Sequence, residues 1–360
     1  MATGDLTGRK VLVTGASGFI GRRLVASLVT AGAEVTALGR TRHSVAPLSG
    51  AQVRFVQGSL ADADAVRKAV AGQEVIFNLA YDFRQSAAVN IAAFETLLSA
   101  AEAEGRARIV HTSSIVVYDD WPNGAVSEAS PMNRPGGSPY RRAKIAMERR
   151  LMAGPLSAAI LQPTIVWGAG SSLWTDGFAE GLLAGTVVIP EPEGLCQGVY
   201  VEDVAQACLR AATLPDLGRE RFIVNGPQPF PWSALLHGYA QHLGRGMVAL
   251  LPADDLASAV PYSQMTAADE GEAPPSLAAR ISALGRSLLG HQRFEALVQM
   301  AKRRLKGAGE MRPDPHLYEL MIAKGRCPSD AARARLGYAP TYDLSAGLAD
   351  LAPYLQKLAR

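Results

Sequence analysis

Three glycines at three-residue spacing, directly after a short apolar run, limit the folds open to this chain more than any other feature. Residues 11–13 (VLV) are typical of a buried strand, and Gly15, Gly18 and Gly21 follow them. Apolar residues then recur with the period of a helix, at Ile20, Leu24, Val25 and Leu28. Glycine permits a tight turn at Gly15, the close approach of a diphosphate at Gly18 and close helix–strand packing at Gly21. The pattern predicts a strand–turn–helix unit that binds a dinucleotide; an ordinary glycine-rich turn is the alternative.

The length and charge of the chain narrow the class of protein. With 360 residues it can bury a large core and is long for one domain, so we expect a main domain with a smaller one appended. Its 36 basic and 33 acidic residues nearly balance. This argues against a general nucleic-acid binder, because such proteins concentrate basic charge on one surface.

Cysteine spacing and the N-terminus bear on the compartment. The cysteines, Cys196, Cys208 and Cys327, have neither metal-ligand nor disulfide-framework spacing, and the histidines show no ligand spacing, so we predict no metal. The first residues lack the basic and apolar parts of a signal peptide, and no uncharged apolar run is long enough to span a bilayer. The expected location is the cytoplasm, without integral membrane contact.

Predicted strands and helices alternate through the first third of the chain. The strands expected after the first are 34–38, 53–56, 75–80 and 108–112, and the predicted helices include 63–71 and 88–104. Such alternation is typical of an α/β fold with a Rossmann-type, doubly wound parallel sheet and helices on both faces. Ligands of these folds bind at the carboxyl ends of the strands.

The end of the second predicted strand bears on the choice of cofactor. A carboxylate there accepts a hydrogen bond from the ribose 2′-hydroxyl of NAD, whereas an arginine pairs with the 2′-phosphate of NADP. The sequence has no carboxylate at this point, only Gly39, Arg40 and then Arg42. We therefore expect NADP in preference to NAD. The alternative is that NAD binds and the arginines are solvated loop charges.

Residues 138–144 (SPYRRAK) have the composition of a catalytic helix. Ser138 suits the N-cap and Pro139 the first helical position. Tyr140 and Lys144 then share one helix face, where the ammonium is expected to lower the pKa of the phenol and to bind a nicotinamide ribose. Ser114, at the end of the fifth predicted strand, is a candidate to hold the reacting oxygen. A surface pair on an amphipathic helix is the alternative for the tyrosine and lysine taken alone.

Ordered motifs over nearly the whole chain resemble those of the extended short-chain dehydrogenase/reductase family, in its NAD(P)-dependent epimerase/dehydratase group. The motifs are residues 14–21 (TGASGFIG), 78–80 (NLA), 113–118 (SSIVVY), 140–144 (YRRAK), 161–168 (LQPTIVWG), 199–205 (VYVEDVA) and 334–338 (ARLGY). By that resemblance Tyr140 is the acid/base, Lys144 positions the ribose, and Ser114 binds the substrate oxygen. Asn90 matches an asparagine that supports the active-site geometry, and a homodimer is expected by resemblance alone.

The same resemblance implies a set of cofactor contacts. They are Gly15, Ser17, Gly18, Phe19, Ile20, Gly21, Arg40, Ser59, Leu60, Leu79, Ala80, Tyr140, Lys144, Pro163 and Ile165. Among them, Ser59 and Leu60 are expected to border the adenine, and Pro163 and Ile165 to flank the nicotinamide. The family usually has an aspartate where Ser59 stands, which leaves the adenine contact of Ser59 open.

Departures from the family pattern narrow the expected substrate. Sugar dehydratases resemble one another in an Asp-Glu pair just after the active-site hydroxyl, where this chain has Ile115 and Val116, so a 4,6-dehydratase is not expected. Cys196 stands where many nucleotide-sugar enzymes carry a diphosphate-binding arginine, and a thiol cannot form that bidentate contact. The interval between Ala80 and Asn90 is also shorter than usual.

The second half of the chain is expected to form a smaller, mixed substrate domain. We predict a dinucleotide-binding domain over 1–165, with later segments returning to it, and a mainly substrate-binding domain over 166–360. An enlarged segment, 253–325, contains a predicted loop at 269–275 and an amphipathic helix at 291–306. This helix is expected to pack on the core; the alternatives are contact with a membrane surface or with an anionic substrate. Aromatic residues expected to line this domain or to fill its core are Trp167, Trp174, Phe178 and Tyr200.

These patterns favour an NADP-preferring oxidoreductase that interconverts a secondary alcohol and a ketone on a small molecule, expected to be a sugar or nucleotide-linked sugar. Three alternatives stay open: a nucleotide-sugar 4-epimerase with tightly bound NAD, a ketoreductase for an apolar substrate, and a non-catalytic cofactor-sensing protein. The sensor is disfavoured, because it has no need of Ser114, Tyr140 and Lys144.

Overall fold

A parallel sheet of seven strands forms the centre of the computed structural model, which describes residues 6–41, 53–257 and 309–360. Across the sheet the strands follow the order β3 (Val53–Gln57), β2 (Glu34–Gly39), β1 (Lys10–Thr14), β4 (Val75–Asn78), β5 (Arg108–Thr112), β6 (Ala158–Pro163) and β11 (Arg219–Val224). All neighbouring strands in it run parallel. The strand order reverses between β1 and β4, where a ligand crevice opens in doubly wound sheets. The expected α/β fold is confirmed.

Helices cover both faces of this sheet. They are α1 (Phe19–Thr30), α2 (Ala63–Val70), α3 (Ala87–Glu104), α4 (Pro139–Ala153) and α6 (Val201–Ala212). Val11 and Val13 belong to the core formed with α1 and α6, whereas Leu12 belongs to the core formed with α2, α3 and α4. Because successive strand residues face opposite sides, an unbroken apolar run suits a strand buried on both faces.

Side-chain caps define the starts of three of these helices. Asp62 caps α2, Ser86 caps α3 and Ser138 caps α4, each by accepting hydrogen bonds from backbone N–H groups of the first turn. The predicted start of α4, with Pro139 at its first position, is confirmed. In contrast, α1 follows Gly18, which has no side chain, and its first turn contains no acidic residue.

The fourth strand is shorter than the sequence predicts. It ends at Asn78, and Leu79 and Ala80 turn across the end of β1. A Cβ at Gly15 would lie 2.9 Å from both the carbonyl carbon of Leu79 and the nitrogen of Ala80. Leu79 still donates its backbone N–H to the carbonyl oxygen of Thr14 at 3.3 Å, so the pairing of β4 with β1 ends where β1 ends.

Smaller elements make up much of the second half. They are β7 (Ile165–Trp167), a π-helical turn (Ser172–Gly177), α5 (Phe178–Ala184), β8 (Gly185–Glu191), β9 (Leu195–Cys196), β10 (Gly198–Tyr200), β12 (Phe230–Pro231), α7 (Trp232–Leu243), β13 (Met247–Pro252), α8 (Ala253–Leu256), β14 (Gly309–Met311), α9 (Pro315–Ile322), a second π-helical turn (Ala332–Leu336) and α10 (Leu344–Ala359). Strands β13, β8 and β14 form a parallel sheet, β10 pairs with β7 in parallel, and β12 pairs with β9 antiparallel.

The aromatic residues of this half mostly fill a core. Trp167, Phe178 and Tyr200 are buried in it, and Trp174 is half-buried against it. Although β11 and α6 follow residue 165, they pack with the seven-stranded sheet, so the domain division at 165 stays an interpretation. Arg42, the loop at 269–275, the helix at 291–306 and most of 253–325 lie outside the described residues.

Gly21 shows how closely α1 packs on the glycine turn. A Cβ added there would overlap the carbonyl oxygen of Gly15 and lie 2.9 Å from the Cα of Ala16. That carbonyl also accepts a hydrogen bond of 2.9 Å from the backbone N–H of Gly18. The turn therefore leaves no room for a side chain at Gly21.

Replacing Gly21 by alanine is expected to lower the free energy of unfolding by about 1–3 kcal/mol, because the backbone of the turn must shift to admit the methyl group. Urea unfolding measures this change. Gly218→Ala is the matched control: a Cβ there has nothing within 4 Å, and the expected change is within about 0.5 kcal/mol. Equal stabilities of the two variants would contradict this packing.

Candidate active site

The glycine turn and the first turn of α1 form one side of the crevice. Gly15 has a φ of 71°, in the left-handed region that favours glycine. Ser17 and Gly18 are exposed, and Phe19 and Ile20 are half-buried. Since Gly18 supplies no capping side chain, the backbone N–H groups at the positive end of α1 suit an anionic ligand. Steric room and charge at this turn therefore fit the diphosphate of a dinucleotide.

Two buried hydrogen bonds join the ends of the three central strands β1, β4 and β5. The hydroxyl of Thr14 donates to Asn78 Oδ1 at 2.7 Å, and Asn78 Nδ2 lies 3.0 Å from Nδ1 of His111. Because the amide nitrogen of Asn78 donates, Nδ1 of His111 accepts, and the proton of the neutral imidazole is on Nε2. Among the described residues, Nε2 has no hydrogen-bond partner. Burial, and then the charge of Lys144, hold the pKa of His111 well below its usual value, so the ring is neutral.

The candidate catalytic residues Ser114, Tyr140 and Lys144 come together at the ends of β5 and α4. The side chain of Ser114 lies close enough to the hydroxyl of Tyr140 to lower the pKa of that phenol. Lys144 Nζ donates to the carbonyl oxygen of Thr112 at 2.6 Å and lies 5.6 Å from the centroid of the Tyr140 ring. Ser114 and Lys144 are buried, and Tyr140 is half-buried. The sequence prediction that these three groups meet agrees with this geometry.

The net lowering of the phenol pKa that was expected beside Lys144 is not found. Burial raises the pKa of Tyr140 to about 12, although the nearby side chain of Ser114 opposes the shift. Burial also lowers the pKa of Lys144 to about 8, against the opposing charge of Glu148. The ammonium faces the Thr112 carbonyl and the ring, and desolvation of the phenol outweighs any lowering. Tyr140 is therefore protonated at neutral pH.

Asn90 holds the loop between β4 and α3. Its Oδ1 accepts from the backbone N–H of Asp82 at 2.9 Å, and its Nδ2 donates to the carbonyl oxygens of Asp82 and Ser86, both at 3.0 Å. The amide therefore closes the loop on itself, next to Tyr140. The structure gives Asn90 this supporting position and no hydrogen bond to Ser114, Tyr140 or Lys144.

Two aromatic residues of this loop pack on Tyr140, and the sequence patterns did not single them out. The rings of Tyr81 and Tyr140 meet edge to face with centroids 4.9 Å apart, and Phe83 lies 5.1 Å from Tyr140 at an interplanar angle of 32°. Lys144 Nζ is also 5.4 Å from the centroid of the Tyr81 ring. The signal in the sequence was the pair of aromatic residues in a short loop directly after Leu79 and Ala80.

The same loop meets Arg40 across the crevice. Arg40 follows the end of β2, and its guanidinium lies 3.7 Å from Asp82 Oδ2, with its side chain 69% exposed. Asp82 pairs more closely with Arg84, which donates from Nε and Nη2 at 2.8 Å each. These hydrogen bonds lower the pKa of Asp82 to about 2. Asp82 and Arg84 were also missed by the sequence reading.

The remaining predicted cofactor residues flank the central strands. Ser59 and Leu60 follow β3 and are half-buried, and the hydroxyl of Ser59 accepts from the backbone N–H of Ala61 at 3.3 Å. Pro163 ends β6, and Ile165 begins β7 and is buried. The adenine and nicotinamide contacts assigned to them stay predictions.

The three cysteines of this chain are all buried. Cys196 is fully buried within the second-half core, so its side chain does not reach the crevice surface. All three cysteines are free. In the ranges that the structure describes, no group of three or more histidine, cysteine, aspartate and glutamate residues has metal-binding geometry, and no helix is long and apolar enough to cross a membrane.

Comparison with known protein families shows which family this chain belongs to. A family model described as the NAD dependent epimerase/dehydratase family matches residues 11–225, from β1 through the end of β11. The chain belongs to this family. Family members are NAD(P)-dependent oxidoreductases, epimerases and dehydratases of the extended short-chain dehydrogenase type, as the sequence motifs indicated.

Individual relatives of this epimerase/dehydratase family member differ in activity. The chain is 29% identical to a 2-alkyl-3-oxoalkanoate reductase of Stenotrophomonas maltophilia, over 63% of this chain and 74% of that protein. It is 33% identical to a UDP-glucose 4-epimerase of Mycolicibacterium smegmatis, over 60% of this chain and 76% of that one. A solved epimerase of Methanothermobacter thermautotrophicus shares the fold at a TM-score of 0.69 and 15% identity, over 98% of this chain and 93% of that chain.

Proposed function

We propose that this protein is an oxidoreductase that interconverts a secondary alcohol and a ketone by hydride transfer with a nicotinamide cofactor. The observation that supports this most is the proximity of Ser114 and Tyr140, beside the buried ammonium of Lys144, which lies 5.6 Å from the centroid of the Tyr140 ring. Proton transfer to a reacting oxygen needs a donor within hydrogen-bond reach and a second group that orients the oxygen. A protein that only sensed its cofactor would not need this set.

The proposed roles of Tyr140 and Lys144 rest on their protonation states, and that of Ser114 on its position beside Tyr140. A bound nicotinamide supplies the hydride to the carbonyl carbon, or accepts it in the reverse direction. In reduction Tyr140, with a pKa of about 12, gives its proton to the oxygen that becomes the alcohol. The hydroxyl of Ser114 orients that oxygen. Lys144 faces the ring and stabilises the phenolate left on Tyr140, an effect that is stronger in a buried, poorly solvated site.

We also propose that Arg40 favours NADP. Its contact with Asp82, at 3.7 Å, is longer than a hydrogen bond, and Asp82 already has two shorter bonds to Arg84. Arg40 is therefore loosely paired and largely exposed at the end of β2, where it can turn toward a 2′-phosphate. The family is described as NAD dependent, and the choice between NAD and NADP for this protein belongs to this proposal.

A nucleotide-sugar 4-epimerase is the second candidate, because a UDP-glucose 4-epimerase is among the relatives. An epimerase oxidises and then reduces the same carbon, so its cofactor is not consumed. Cofactor that co-purifies and stays constant during turnover supports the epimerase, whereas stoichiometric loss of NADPH with a ketone supports the reductase. The sugar substrate predicted from the resemblance is tested by the same assays.

Replacing Tyr140 by phenylalanine is expected to lower kcat by about 10³-fold or more, because the ring remains but the proton donor is lost. Cofactor affinity, measured by calorimetry, is expected to change little. Tyr342→Phe is the control, since Tyr342 packs on Tyr200 in the second half of the chain. Wild-type turnover by the Tyr140 variant would eliminate the mechanism.

The rate of ketone reduction is expected to fall as pH rises through about 8. The pKa of Lys144 is lowered to about 8, so its ammonium is present below that pH and lost above it, while Tyr140 stays protonated up to about 12. Loss of the ammonium leaves the Tyr140 phenolate without its stabilising charge. The profile of kcat/KM against pH at saturating NADPH measures the midpoint. A rate that is constant to about pH 10 would show that Lys144 does not act through its charge.

Replacing Arg40 by alanine is expected to weaken NADPH binding by about 10-fold or more and to leave NADH binding nearly unchanged, because only NADPH presents a 2′-phosphate. Asp82→Asn is the matched variant, and its expected effect on NADPH affinity is the opposite. It removes the negative charge beside Arg40 and is expected to tighten NADPH binding. Calorimetric titration of both cofactors measures these changes. Equal losses for the two cofactors in Arg40→Ala would refute the assignment.

A further inference from the structure

We propose that Tyr81 and Phe83 form an aromatic wall that binds a flat apolar ring next to the reacting carbon, so that the substrate is an aryl or alicyclic ketone. The proposal rests on the function proposed above, since it specifies the substrate class of the same site. Neither residue belongs to the motifs that identified the family. The term aromatic wall is used below for these two rings.

The aromatic wall borders the proton donor directly. Both ring centroids lie within 5.1 Å of the Tyr140 centroid, and they lie 4.9 Å from each other. Since the Tyr140 hydroxyl must reach the substrate oxygen, the atoms next to the reacting carbon must lie near these rings. A substrate group at this place meets ring carbons and gains by stacking on them.

Phe83 is available to a ligand. Its side chain is 73% exposed, more than any other large apolar side chain among residues 6–41, 53–257 and 309–360. Only part of the ring is covered by Tyr81 and Tyr140. An exposed phenyl ring at the mouth of a polar crevice has no role in the packing of the core, and a ligand that covers it removes apolar surface from water.

The aromatic wall is also held in place before a ligand arrives. On one side of Phe83, Asp82 is bound through its backbone to Asn90. On the other side, Arg84 is bound to the Asp82 carboxylate through its backbone N–H at 3.1 Å and its guanidinium at 2.8 Å. Fixing both neighbours limits the motion of the exposed ring, and a preorganised surface loses less entropy when it binds a ligand.

The chemistry of the aromatic wall favours an apolar ring over a polyhydroxylated sugar. The Phe83 ring offers no hydrogen-bond partner, so sugar hydroxyls placed against it would lose water without replacement. The nearby charges of Asp82 and Arg84 satisfy each other through paired hydrogen bonds. Aryl and alicyclic ketones need no such partners, apart from the carbonyl oxygen that Ser114 and Tyr140 serve.

Binding to an inactive protein tests the aromatic wall apart from turnover. In a Tyr140→Phe background loaded with NADPH, the bicyclic aryl ketone α-tetralone is not consumed, and its Kd is measured by calorimetry. Adding Phe83→Ala is expected to raise that Kd about tenfold, because the stacking surface is lost. Met247→Ala in the same background is the matched control, since Met247 is 67% exposed on β13, and it is expected to leave the Kd unchanged. A Kd unaffected by Phe83→Ala, or no binding of α-tetralone, overturns the proposal.

Turnover by the otherwise unchanged enzyme gives an independent readout. Phe83→Ala is expected to lower the ratio of kcat/KM for α-tetralone to kcat/KM for dihydroxyacetone about tenfold, because the hydrophilic ketone gains nothing from stacking. An unchanged ratio overturns the aromatic wall. Because Phe83 is exposed, its removal is expected to shift the melting temperature by no more than about 3 °C, which excludes unfolding as the cause.

The two proposals fail in different ways. If hydride transfer is wrong, α-tetralone binding still depends on Phe83, but wild-type protein consumes no NADPH with any ketone. If only the aromatic wall is wrong, NADPH is consumed with dihydroxyacetone or a nucleotide-linked keto sugar, and Phe83→Ala affects neither binding nor the ratio.

Discussion

Close backbone contact between the glycine turn and the strand beside it is the constraint on which the rest of this structure depends. Gly15 touches Leu79 and Ala80, and Gly21 touches Gly15, without room for a Cβ at either glycine. The contact brings the N-terminus of α1 to the place where the strand order reverses. Strand β4 ends beside the same turn, and the loop that carries Tyr81 and Phe83 follows it. Buried hydrogen bonds among Thr14, Asn78 and His111 join the same strand ends.

Desolvation governs the chemistry of the candidate site. Burial raises the pKa of Tyr140 and lowers that of Lys144, so each group is pushed toward its neutral form. A tyrosine of this kind is suited to giving a proton to a ketone, and a lysine near its pKa is sensitive to small changes in charge around it.

The short loop between β4 and α3 contacts both of the proposed binding regions. Through Asp82 it meets Arg40 at the proposed phosphate end, and through its two aromatic rings it meets Tyr140 at the reacting end. Asn90 secures the loop from inside α3. A family whose members act on different substrates can therefore change specificity through a few residues here while the sheet and the proton-transfer residues stay the same.

Local patterns were enough to predict the parallel sheet, the glycine turn, the start of α4 and the grouping of Ser114, Tyr140 and Lys144. Glycine spacing, strand alternation and helix caps act within a few residues of one another, so a linear pattern can record them. The tertiary structure alone decided the pKa of Tyr140, the early end of β4, and the meeting of Arg40 with Asp82 and of Phe83 with Tyr140. These depend on groups far apart in the chain, 42 positions for the Arg40 and Asp82 pair, and on how much water the folded protein leaves around each of them. A linear pattern records which groups are present, whereas burial and distance exist only after the chain has folded.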